Sequence, residues 1–183
     1  MQRTLSIRGR FWIAALAVAL VSLILALFVP LTYSETKYHS LDVVYWYVPF
    51  KNYVLFAAGL GCIVVLLFIL GFARHIATYS SAVVLGIAAV ALMYMSFLSI
   101  TTFDEERMYI KDVFTEHSYK WTDMAAITLQ YDDIQLTEDY VFTFKDGSSV
   151  LIENNRQFDE ASNFIYTTAR QHDIVYSEER VIK

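Results

Sequence analysis

Three long stretches of this sequence carry no charge: Phe11–Leu31, Tyr53–Ala73 and Ile76–Thr102 contain no Asp, Glu, Lys, Arg or His. Ion pumps and proton relays depend on ionisable groups near the bilayer midplane, each costing at least about 2.5 kcal/mol to place there. Their absence argues against transport by a single copy of the chain. Cysteine is also nearly missing. Cys62 stands alone inside an apolar run, so it has no intramolecular disulfide partner and reads as a small buried hydrophobe. His39, His75, His117 and His172 are scattered, with no His-Glu-x-x-His, no paired cysteine, no Gly-x-Ser-x-Gly and no phosphate loop. The ligand spacings of a zinc site and the nucleophile elbow of a hydrolase are therefore not expected. From these absences the sequence predicts no catalytic residue, no metal, no cofactor and no enzymatic activity.

What is present is apolar residue in excess. The hydrophobic share is 56% and the mean hydropathy +0.41, against about 45–50% apolar residues in an ordinary soluble domain. Charge shows where the excess lies. Residues 1–102 hold two acids against six bases, a net of +4, and residues 103–183 hold seventeen against eight, a net of −9. So abrupt a shift marks the passage from chain facing lipid to chain facing water. The predicted organisation is a three-helix transmembrane region over 1–102, with spans at 11–31, 53–73 and 76–102, followed by a small α+β extramembrane domain over 103–183. Each span reaches the ~20 apolar residues needed to cross a hydrocarbon core and is apolar all round, with no single amphipathic stripe.

The first span follows Arg3, Arg8 and Arg10 as a signal peptide would. Its apolar run exceeds the ~7–15 residues of a signal core and ends at Val29-Pro30-Leu31 without a small-x-small cleavage site, which favours a retained anchor with Pro30 near the helix end. Small residues four apart, at Ala15/Ala19, Ala57/Gly61 and Ala82/Gly86, suit close helix approach in lipid. The basic cluster before the first span, with Arg74 in the second turn, orients the N-terminus to the cytoplasm and the C-terminal domain outside. The opposite side carries Lys37, Lys51, Arg107 and Lys111, so the bias comes from the density of charge beside the first helix.

The loop from Thr32 to Asn52 is rich in rings: Tyr33, Tyr38, Tyr45, Trp46, Tyr47 and Phe50. Such rings settle at the headgroup level as an interfacial belt. Within them Tyr45, Trp46 and Tyr47 are the candidate partner-binding patch, on a segment that reads equally as a short strand or as chain lying flat on the membrane.

Beyond Thr102 the pattern changes to short β-prone runs between polar turns. Strands are expected near 108–111, 117–121, 125–131, 140–145 and 149–153, with Lys145-Asp146-Gly147-Ser148 as a type I′ hairpin and a helix from Asp159 to about His172-Asp173. Asp132, Asp133, Glu138 and Asp139 crowd a turn but miss the calcium-loop register, so they read as a solvated acidic turn. The run Tyr119-Lys120-Trp121-Thr122-Asp123-Met124, then Val141-Phe142-Thr143-Phe144-Lys145-Asp146-Gly147, then a terminal helix, resembles the bacterial pleckstrin-homology-like domains fused to membrane helices. Five strands are found against the seven of a full domain, and Phe97–Asp104 and Ile174–Tyr176 are candidates for the rest.

The resemblance implies an antiparallel PH-like sheet closed by a C-terminal helix, in a multi-pass protein of a bacterial cell membrane. It also implies a scaffold that binds a protein or peptide partner, in envelope stress or peptide immunity. The charge of −9 disfavours anionic phospholipid headgroups and nucleic acid as ligands of this domain; the lipid bilayer itself surrounds the helices. The competing expectation is a membrane enzyme acting on lipid or cell-wall intermediates through Asp104, Glu105 and Glu106.

Overall fold

A computed structural model of the chain describes residues 6–39, 43–72, 75–132, 137–153 and 156–181. Their contacts divide into two compact units: the described parts of Met1–Leu41, Val48–Ile100 and Lys111–Thr115, and those of Asp42–Tyr47, Thr101–Ile110 and Glu116–Lys183. The charge change near Phe103 lies close to one crossing between the units. The chain makes several such crossings, because strand pairing assembles the second unit from distant segments.

The first unit holds α1 (Ile7–Tyr38), α2 (Phe50–Phe72) and α3 (Ile76–Met95). All three are long and apolar enough to cross a membrane, which suits a multi-pass membrane protein. Large side chains such as Leu20, Leu23 and Val90 point outward, as lipid-facing residues do. Ser6 caps α1, its hydroxyl accepting the Gly9 N–H at 3.2 Å.

Two helix ends differ from the sequence expectation. Pro30 lies inside α1, which continues to Tyr38. A proline removes one backbone donor, and the polar turn beyond it holds together through Thr36 Oγ1 donating to the Thr32 carbonyl at 2.8 Å and Lys37 lying over the Tyr33 and Tyr38 rings. The expected loop from Thr32 is therefore helical in its first third. The third span stops at Met95, short of 102: Ser96 closes the helix with its N–H on Leu92 O and its hydroxyl on Met93 O. The β-branched run Ile100-Thr101-Thr102 then enters a strand, the conformation its side chains favour. Ala73 and Arg74 fall outside the described residues, as does Arg3.

Helix α2 packs against both α1 and α3. Of the predicted small-residue positions, Ala15 and Ala82 are buried, while Ala57 and Gly61 are exposed. Closest approach falls instead at Gly59, where an added Cβ would meet Met93 and the Ala89 carbonyl, and at Gly71, where it would strike the Trp12 indole. A polar cluster stands where α2 begins. Asp112 accepts from Lys51 Nζ at 2.5 Å and from Ser99 Oγ at 3.1 Å, and Asn52 Nδ2 donates to the Ser99 carbonyl at 2.6 Å. The Lys51 ammonium, with the Val113 N–H and the Ser99 hydroxyl, holds the Asp112 carboxyl below the usual carboxylate range.

The second unit is built on β1 (Tyr45–Tyr47), β2 (Ile100–Phe103), β3 (Arg107–Lys111), β4 (Glu116–Lys120), β5 (Met124–Asp132), β6 (Thr137–Phe144), β7 (Ser149–Glu153), α4 (Arg156–Gln171) and β8 (Val175–Val181). One sheet runs β1-β2-β3-β4 and the other β7-β6-β5-β8. The five expected strands are present, with three more: β1 from the aromatic loop, and β2 and β8 from the two candidate segments. Pairing is antiparallel between β1 and β2, β5 and β6, and β6 and β7, whereas β8 lies parallel to β5. A parallel neighbour needs a crossover, and α4 lies in the connection from β7 to β8.

Alternation turns Ile127 and Leu129 of β5 and Tyr140 and Phe142 of β6 inward, where Ala161, Ile165 and Ala169 of α4 cover them. Trp121 is fully buried in a 3₁₀ turn, its indole N–H donating to the Asp104 carbonyl at 2.9 Å and its ring stacked near Phe103.

The β6–β7 hairpin is not type I′. Gly147 alone within it has positive φ, at +85°, while its N–H donates to Phe144 O and the Phe144 N–H to Ser148 O. This is a three-residue loop, a type I turn followed by a left-handed glycine, and only that third residue needs positive φ. The helix α4 ends the same way, with Asp173 at φ +55° and Ile174 N–H reaching back to Ala169 O, a Schellman closure.

Candidate functional site

Tyr45, Trp46 and Tyr47 face Phe103, Thr102 and Thr101 across the β1–β2 ladder. A strand turns alternate side chains to opposite faces, so the three rings do not share one surface. Tyr47 is 6% exposed in the core and Tyr45 packs on Phe164 at 5.6 Å. Trp46 is half-buried on the other face.

A more open feature lies beside β4, the last strand of its sheet, with no strand hydrogen-bonded to its outer edge among the described residues. Between it and the β6–β7 turn lies a notch of about 350 Å³ lined by Ser118, Tyr119, Asp123, Phe144, Lys145, Asp146 and Ser148. Its floor is aromatic: Tyr119 stacks on Phe144 at 4.3 Å and 16°, and His117 follows on Tyr119 at 6.0 Å. The notch forms because Gly147 reverses the chain tightly and Lys145 ties the turn back, its N–H donating to Asp123 O and its Nζ to Thr122 O at 2.7 Å. That bond engages the exposed Lys145 ammonium with a backbone carbonyl. Asp146 accepts from both the N–H and the hydroxyl of Ser148, which hold its carboxyl below the usual range. The rim therefore presents the Asp146 carboxylate and serine hydroxyls around a flat ring stack.

The acids of the competing enzyme expectation are placed differently. Asp104 spends its carboxylate within a turn, accepting the N–H of Glu106 at 2.8 Å, the N–H of Arg107 at 2.7 Å and Arg107 Nε at 3.2 Å. Glu105 and Glu106 are exposed. Burial pushes the Tyr140 phenol well above its ordinary range, and it hydrogen-bonds Tyr176. The pair ties β6 to β8 and keeps its protons. Among the described residues no three His, Cys, Asp or Glu side chains gather where a metal ion would bind; Asp133 of the acidic turn lies outside them.

Comparison with protein-family models, with curated proteins and with solved structures finds no match to this chain. The functional reading therefore rests on the residues themselves. Sequence reading missed the notch because its parts come from two strands and a turn, and nothing in Glu116–Lys120 tells an edge strand from an inner one. The one legible signal was the Asp-Gly turn.

Proposed function

We propose that this chain is a non-enzymatic membrane protein whose sheet domain captures an extended peptide or protein segment along β4, the incoming strand adding to the sheet and setting a side chain into the Tyr119–Phe144 notch. The observation that carries the reading is an edge strand lying directly beside an aromatic-floored, carboxylate-rimmed recess. Strand addition draws affinity from main-chain hydrogen bonds and selectivity from a pocket for alternate side chains. A net charge of −9 over residues 103–183 selects basic or neutral partners and repels anionic lipid headgroups and nucleic acid.

The two sheets and α4 support the pleckstrin-homology-like assignment. The chain departs from the seven-strand pattern in having an eighth strand after the helix and two membrane helices between β1 and β2. The family resemblance further assigns the protein to a bacterial cell membrane, in defence against envelope stress or membrane-active peptides.

Two synthetic peptides, valine alternating with lysine and valine alternating with glutamate, test the binding reading on the full chain in detergent. The lysine peptide is expected to bind, more weakly as salt rises, and to crosslink to a photoreactive residue at His117 on β4 but not at Asn163 on α4. Equal binding of both peptides, or equal crosslinking at both positions, would overturn it. The proposed orientation, with the sheet domain outside, predicts that Asp146→Cys in a Cys62→Ala background is labelled in intact cells by an impermeant thiol reagent. Protection until the cells are lysed would place the domain in the cytoplasm.

A further inference from the structure

The loop between β3 and β4 carries the most exposed large ring among the described residues. Phe114 is 88% exposed, at the tip of Asp112-Val113-Phe114-Thr115, where Asp112 N–H donates to Thr115 O at 2.7 Å and closes a tight turn. This loop belongs with the helices: Lys111–Thr115 groups with the first compact unit. What holds it there is Asp112, which bonds Lys51 in the first turn of α2 and Ser99 just beyond the end of α3. The start of α2 and the end of α3 lie on one side of the bilayer, because the two helices are consecutive spans. Asp112 is thereby held at the level where both helices leave the hydrocarbon.

Phe114 follows two residues later, and an extended dipeptide reaches about 7 Å, comparable to the roughly 5–7.5 Å depth of one headgroup region. Phe50, at the first position of α2, is itself 68% exposed at this level. An exposed phenylalanine gains nothing in water, whereas at the headgroup–acyl boundary it loses apolar contact with solvent.

We infer that the β3–β4 loop is a membrane-inserting finger, Phe114 entering the leaflet at which α2 begins and α3 ends, with the Lys51–Asp112 pair as its clamp. The occupant of this surface is the lipid of the membrane the chain already crosses, and the inference rests on the membrane spans alone, independent of the peptide-binding proposal.

The test uses the full chain, Cys62→Ala, reconstituted in phosphatidylcholine vesicles with a nitroxide label at Phe114→Cys and, as the aqueous reference, at Asp146→Cys. Power-saturation spectroscopy compares collision with oxygen, which concentrates in lipid, and with a water-soluble nickel chelate. The expected result is a several-fold higher oxygen-to-nickel ratio at 114 than at 146, falling towards the reference when Lys51→Ala and Asp112→Ala open the clamp. A ratio at 114 equal to that at 146 would overturn the inference. So would a label shielded from both reagents, since that would mean Phe114 packs on protein.

Discussion

Replacing Trp121 with alanine is expected to cost the sheet domain about 3–5 kcal/mol, the range for deleting a large aromatic from a packed core. Trp121 is fully buried, stacks near Phe103, meets Phe164 edge-on at 6.1 Å and gives its indole proton to Asp104 O. Strand β2, the turn after it and α4 therefore all touch one side chain. Phenylalanine at the same position keeps most of the apolar contact and loses the donor, so Trp121→Phe should cost less, about 1–2 kcal/mol. Amide hydrogen exchange of the full chain in detergent separates the cases. The alanine variant should lose protection in β2, β5 and α4 together, the phenylalanine variant by a smaller factor. Unchanged protection in Trp121→Ala would show that the core does not depend on this ring.

Within the membrane region the largest effect is expected from Gly71→Leu. Gly71 is buried and its Cα faces the Trp12 indole, so any side chain there must displace a ring that also packs on Phe72 of α2, 5.3 Å from it. Overpacking of this kind costs about 1–3 kcal/mol, and lipid offers no hydrophobic force to press the helices back together. The thermal midpoint in detergent should fall with Gly71→Leu and recover part of the loss when Trp12→Ala is added. Additive losses in the double variant would mean that the two positions do not meet. Gly61 makes a useful control, since an added Cβ there meets nothing within 4 Å.

The contrast between Gly71 and Gly61 shows how far the sequence could be read. Apolar length and missing charge locate helices well, because both are properties of a segment alone; the three spans were legible for that reason. The spacing of small residues is legible as a pattern but not as a contact, since Ala57 and Gly61 share a helix face that turns outward while Gly59, between them, meets α3. Helix ends were misread where polar side chains bond their own backbone, as Ser96 does, or where a proline is accommodated inside the helix. In the sheet domain, alternation marked the five strands with clear turns on either side. It left β1 and β8 open because their partners are far away in sequence, and β2 because it runs on from an apolar span. The notch was invisible because its floor is built from distant segments: Tyr119 and Phe144 are unremarkable singly and form it only after two strands meet. Lys51 and Asp112, 61 residues apart, carried no signal at all.

The pairing of Tyr45–Tyr47 with Thr101–Phe103 sets an order on biosynthesis. The first strand leaves the ribosome before α2 and α3, and its partner leaves after them, so the ladder cannot close until both spans have emerged and crossed. A helical hairpin that inserts correctly returns the chain to the side where β1 waits and brings the two strands together, lowering the entropic cost of joining ends so distant in sequence. Insertion of one helix without the other would leave β1 and β2 on opposite sides of the bilayer, unable to pair. Completion of the sheet domain thus requires that α2 and α3 cross together.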